Sequence, residues 1–133
     1  LTEMGSRLTN LSVYSNLYLY PGMSYDFFQE LLDKSTFYLD IQHDIEIFES
    51  SSCAVEKGIL LYTLHHLTHH EEYKKLETCY DTIESLIQNV RQVIENPDKY
   101  YQLSRNQAQI LGITSLEDYR NLFDRWEKKF DCL

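Results

Sequence analysis

At 133 residues the chain has the length of one ordinary domain, and 43% apolar against 25% charged residues excludes both wholesale disorder and a fibrous repeat. The longest unbroken apolar stretches, Leu17 to Tyr20 and Ile59 to Tyr62, fall far short of the roughly 20 residues a membrane-spanning helix requires. Twelve Lys and Arg against 21 Asp and Glu leave a net charge of -9, which repels phosphate backbones and anionic lipid surfaces and so argues against nucleic-acid and membrane partners.

Only two prolines and four glycines interrupt the chain, a composition that favours helices. The first segment, Val13 to Tyr20, is rich in Tyr and Leu. It is read as helix, with strand as the competing assignment. Ser24 caps a predicted helix through Phe27, Phe28, Leu31 and Leu32. A second helix is predicted over 36–49, with Phe37, Ile41, Ile45 and Phe48 on its core face and Leu39 and Ile47 on the far side. After a break at Ser50, Ser51 and Ser52, a third is predicted from Val55 to His70.

The longest predicted helix runs from Glu71 to Glu95. Tyr73, Leu76, Cys79, Tyr80, Ile83, Leu86, Ile87, Val90, Val93 and Ile94 recur there every three or four positions and form one stripe at 100° per residue. Asn96 and Pro97 end that helix and open the next, Asn96 as N-cap and Pro97 at the first position, where a missing N–H costs nothing. This helix is predicted to stop at Leu111, before a left-handed Gly112. Thr114 and Glu117 have capping-box spacing ahead of a last helix carrying Leu116, Tyr119, Phe123, Trp126 and Phe130. No segment repeats at a fixed period, and having only Ala54 and Ala108 argues against tightly stacked helical repeats. The expected fold is therefore all-α: one domain over 1–133, with six or seven helices packed as antiparallel hairpins.

The chemistry-bearing residues are sparse. His65, His66, His69 and His70 would sit as two i, i+4 pairs on a helix, and each pair offers two imidazoles to one metal ion. A structural zinc site needs four ligands and a catalytic site three plus water, and no second motif supplies them. His66 and His70 project beside the apolar side of that helix, His65 and His69 outward. Structural histidines are the favoured reading, with no metal and no cofactor. Cys53, Cys79 and Cys132 match neither a disulfide framework nor paired zinc knuckles, and read as reduced thiols inside a cell. Gly-x-Ser-x-Gly elbows and phosphate-cradling glycine loops are both absent, so the chain is not read as an enzyme. Asn106 to Thr114 resembles the first helix and turn of a DNA-binding helix-turn-helix. The next segment, Ser115, Leu116, Glu117 and Asp118, would repel phosphate where a recognition helix should begin.

The acidity is concentrated. Between Asp26 and Glu56 stand eight carboxylates and a single cation, Lys34. Within that segment Leu39, Asp40, Asp44, Glu46, Ile47 and Glu49 form the predicted partner-binding surface, an apolar pair framed by charges that attract a basic protein or peptide. The leading expectation is a non-enzymatic, cytoplasmic protein-interaction module, the sensing or assembly part of a larger regulator. The start at Leu1 rather than Met reads as a piece of a longer polypeptide. The runner-up is a small acidic inhibitor or immunity-type protein that blocks a basic toxin or nucleic-acid enzyme, and the third reading is a metal-binding protein built on the histidine cluster.

Overall fold

The computed structural model describes residues 10–113 and residue 124. The chain divides into two compact units, Leu1–Leu31 and Leu32–Leu133. In the first, a 3-10 turn at Leu11–Val13 is followed by irregular chain, in which the Tyr18 and Tyr20 rings stack at 6.5 Å and Tyr20 meets Phe27 edge-on at 5.1 Å. Helix α1, Tyr25–Asp33, begins where Ser24 Oγ accepts the Phe27 amide, as the sequence predicts. The segment Val13 to Tyr20 is not the expected helix. It forms neither helix nor strand beyond the 3-10 turn.

The second unit corrects the all-α expectation. Its centre is a parallel sheet of three strands in the order β1 (Phe37–Asp40), β2 (Leu60–Leu64) and β3 (Cys79–Tyr80). β1 pairs with β2 from Phe37↔Leu60 to Asp40↔Thr63, and β2 with β3 at Thr63↔Cys79 and Leu64↔Tyr80. Helix α2, Ser50–Glu56, connects β1 to β2. A 3-10 turn, Glu71–Lys75, lies between β2 and β3, and helices α3, Ile83–Glu95, and α4, Pro97–Leu111, follow.

Strand β2 is buried at every position, and its alternating side chains enter two cores. Leu60, Tyr62 and Leu64 pack with Leu86, Val93 and Leu103 of α3 and α4. Leu61 turns to the opposite face and packs with Val55, Tyr73 and Leu76. The fold is thus α/β, with helices against both faces of a small parallel sheet.

Three predicted helices are corrected by this arrangement. The 36–49 segment is strand β1 followed by irregular chain, and Ile41, Ile45 and Phe48, expected in the core, are exposed. The Val55 to His70 helix ends at Glu56 and gives way to β2. The Glu71 to Glu95 helix is divided into the 3-10 turn, β3 and α3. A strand buried on both faces is a continuous apolar run, and such a run has no period that separates it from a buried helix. The predicted core positions Leu86 and Val93 are nevertheless buried, because α3 keeps the helical spacing from Ile83 onward. Its start is set by Thr82, whose side chain accepts the Ser85 amide at 3.3 Å.

Helix α4 matches its sequence signature at both ends. Asn96 Oδ1 accepts the Lys99 amide at 3.4 Å, and Gly112 adopts φ of 67°, the left-handed conformation that glycine takes without strain. From this helix Gln107 reaches the sheet. Its Oε1 accepts the Leu61 amide at 2.8 Å and its Nε2 donates to the Ile59 carbonyl at 2.9 Å. The odd-numbered amides of β2 point toward β3, but β3 begins too late to pair with Leu61. The Gln107 side chain therefore stands in for the missing strand. The predicted helix after Thr114 lies outside the described residues.

Two stability changes are expected. Leu86→Ala should destabilise the fold by about 2–5 kcal/mol as a fully buried truncation. Gln107→Leu keeps the bulk but orphans the Leu61 amide and the Ile59 carbonyl, and should cost about 1–3 kcal/mol. Denaturant melts with unchanged slopes would check both; a loss below about 0.5 kcal/mol for Gln107→Leu would mean that water replaces the amide there.

Candidate functional site

Parallel strands deliver their carboxyl ends to one edge of a sheet, so the chain leaving β1 and the chain leaving β2 emerge side by side. The first of these, residues 41–49, is irregular and carries the acidic, apolar segment; the second, residues 65–70, carries the histidines. Residues 24 to 29 positions apart meet there.

His69 Nδ1 lies 3.3 Å from Asp40 Oδ2, and its Nε2 lies 2.6 Å from the Asp44 carbonyl. His70 Nε2 lies 3.1 Å from Glu46 Oε2 and 3.5 Å from Ser52 Oγ, and its ring packs 4.8 Å from that of Tyr73. Glu46 Oε1 accepts the Ser51 amide at the start of α2 and the Ser50 hydroxyl at 3.4 Å. Tyr38 donates to Ser50 Oγ at 2.6 Å, and Gln42 donates to the Tyr38 hydroxyl at 3.2 Å. Between these anchors Phe48 and Glu49 adopt φ of 59° and 49°, the left-handed region that costs a side-chain-bearing residue about 1–2 kcal/mol. The Glu46 contacts to α2 and the histidine contacts hold the segment in that conformation.

Electrostatics follow from burial. Asp40 is fully buried, and desolvation pushes its carboxyl above the usual range against the pull of His69. The His69 imidazole is raised, chiefly because its N–H donates to the Asp44 carbonyl, with Asp40 and Glu46 adding to the effect. For Glu46 burial acts upward, but hydrogen bonds from Ser51 and His70 outweigh it and lower the carboxyl. Burial raises the Tyr38 and Tyr73 phenols and the Cys79 thiol, so none of these is an activated nucleophile.

The six residues of the predicted partner surface are spread over this region in different roles. Ile47, Asp44 and Glu49 are exposed, Ile47 to 65%, and Leu39 is 40% exposed on β1 rather than on a helix. Asp40 and Glu46 face inward and fasten the segment. Ile45, assigned by periodicity to a core stripe, is 90% exposed and is the most prominent apolar side chain of the segment. Of the four histidines, His65 and His66 are exposed, whereas His69 and His70 both turn toward the carboxylates, not one inward and one outward as a helix would place them. Among the described residues no three His, Cys, Asp or Glu side chains are grouped to hold a metal ion, and no helix is long and apolar enough to cross a membrane. Cys53 and Cys79 are free; Cys132 lies outside the described residues.

Glu46→Gln should lower stability by about 1–3 kcal/mol near neutral pH, because it removes the charge from the hydrogen bond that starts α2. A lowered carboxyl contributes above its unfolded value of 4.5 and loses that contribution as pH falls through the folded value. The gap between wild type and variant, followed by thermal melts, should therefore close in acid.

A family model described as the GftB/GlyA-F C-terminal domain matches residues 1–107. The chain is 27% identical over 122 residues, 90% of its length, to the UDP-N-acetylglucosamine--peptide N-acetylglucosaminyltransferase stabilizing protein GtfB of Streptococcus pneumoniae serotype 4. It is 33% identical over 69 residues, 52% of its length, to the protein of the same name from Streptococcus parasanguinis. To the one from Limosilactobacillus reuteri subsp. suis it is 23% identical over 124 residues, 92% of its length. These matches cover 27%, 16% and 28% of the three relatives, so the chain spans little more than a quarter of their length. No solved structure matches it.

Proposed function

The chain belongs to the GftB/GlyA-F C-terminal domain family, and from that membership we propose that it is the interaction part of a protein that stabilises a peptide N-acetylglucosaminyltransferase, with a non-catalytic role of its own. The similarity that extends over 90% of the chain, to a relative named for stabilising such a transferase, carries this reading.

The exposed apolar segment supports a docking role for residues 41–49. Ile45 and Ile47 stand 90% and 65% exposed on chain held in a strained conformation by buried contacts. A rigid apolar projection loses little entropy on binding, which favours affinity. Asp44 and Glu49 flank it, and the acidic stretch from Asp26 to Glu56 would draw in a basic patch on the transferase. In this proposal Asp40 and Glu46, predicted as partner contacts, act from beneath the surface.

Charge and apolar contact are separable by experiment. Ile45→Ser and Ile47→Ser should each weaken capture of the transferase about tenfold, equivalent to about 1.4 kcal/mol, at every salt concentration. Asp44→Asn with Glu49→Gln should slow association mainly at low salt, since the Debye length is about 10 Å at 0.1 M. The exposed positions predict unchanged melting temperatures. Surface-plasmon measurements on immobilised chain decide the matter: binding indifferent to both isoleucines would reject this surface, and no binding at all would reject the partner.

A further inference from the structure

Both ring nitrogens of His69 face oxygens that, at neutral pH, are ordinarily acceptors. Nε2 is 2.6 Å from the backbone carbonyl of Asp44, which can only accept, so Nε2 carries a hydrogen. Nδ1 is 3.3 Å from Asp40 Oδ2. A neutral imidazole with its hydrogen on Nε2 presents a lone pair at Nδ1, and an ionised carboxylate presents only lone pairs in return. That contact is a hydrogen bond only when the pair holds one proton more. The proton resides on Nδ1, giving imidazolium and carboxylate, or on Asp40, giving imidazole and carboxylic acid; the count is the same.

We propose that this additional proton, shared by Asp40 and His69, is a latch that holds residues 41–49 in place, and that its loss releases the chain around Asp44. The surroundings favour its retention. Asp40 is fully buried and its Oδ1 has no hydrogen-bond partner among the described residues, an arrangement costly for a free anion. Glu46, within residues 41–49, interacts with both members of the pair, and His70 faces Glu46 from the chain after β2, with Glu72 3.9 Å from the other His70 nitrogen. Tyr38 on β1 and Tyr73 on the 3-10 turn are phenols that burial keeps protonated. The raised His69 and the raised Asp40 agree in sign with a pair that binds a proton more firmly when folded.

The inference rests on the preceding proposal only in its consequence for binding: if 41–49 is the partner surface, presentation of Ile45 and Ile47 depends on pH. The stability sign follows from the raised imidazole. The latch contributes in full below the unfolded histidine value of 6.5 and is lost as pH rises through the folded value.

The test uses the 133-residue chain without a partner. Long-range proton–nitrogen spectra of labelled histidines should show His69 Nε2–H retained throughout, with one titration centred above 6.5. The backbone amides of Asp44 to Ile47 should shift with that same midpoint. Asp40→Asn places an amide donor opposite Nδ1, so neutral His69 should complete the latch and those amides should lose their pH response. A His69 titration at or below the ordinary value, loop amides that do not follow it, or an unaltered response in Asp40→Asn would each overturn the proposal. Should that variant fail to fold, the wild-type titration decides alone. Since no transferase is present, failure of the latch leaves the partner surface to be judged by its binding assay.

Discussion

Strand β2 carries Leu60 to Leu64 wholly out of water, so every N–H and C=O along it needs a partner inside the protein. β1 supplies one edge in register from Phe37 to Asp40, and β3 supplies the carboxyl-terminal end of the other. The amino-terminal end of that second edge, at Leu61 and Ile59, is closed by the Gln107 side chain of α4. A two-residue strand and one amide thus do the work of a longer strand. The same demand draws α4 close to the sheet, beside the cluster where Leu103 meets Leu60, Tyr62 and Leu86.

The parallel pairing has a second consequence at the opposite end. Because β1 and β2 run in one direction, the chain that leaves each must turn at the same edge, and the segments 41–49 and 65–70 become neighbours. A carboxylate at the end of β1 and another on the first segment then meet imidazoles on the second, Asp40 with His69 and Glu46 with His70. Neither pair lies on the open surface, since Asp40 is fully buried and the Glu46 side chain nearly so. The pairs, together with the Glu46 contact to the Ser51 amide, offset the cost of the left-handed backbone at Phe48 and Glu49, on a segment whose Ile45 and Ile47 are exposed.

The relatives are named as stabilizing proteins of a peptide N-acetylglucosaminyltransferase, and this chain corresponds to little more than a quarter of their length. In the proposed role, the exposed Ile45 and Ile47 would be what the chain offers to a partner. The proton proposed to be shared by Asp40 and His69 would make the presentation of that surface conditional on pH.

What the sequence by itself determined were the local features: the Ser24 cap, the Asn96 and Pro97 junction, the glycine at 112, the spacing that buries Leu86 and Val93, and the concentration of charge between Asp26 and Glu56. Each of these is settled within a few residues, by a capping hydrogen bond, a fixed φ or one helical period. The exposure of Leu39 and Ile47 was also legible, though as the far side of a helix that does not form. Tertiary structure alone decided that Leu60 to Leu64 is a strand, since an apolar run buried on both faces has no distinguishing period until its neighbours are known. It alone decided that His69 belongs with Asp40 and His70 with Glu46, because those pairs exist only through the parallel alignment of two strands. Gln107 was silent in the sequence for the same physical reason: a polar residue on a helix is solvated by default, and becomes a structural partner only where a distant strand leaves its backbone unpaired.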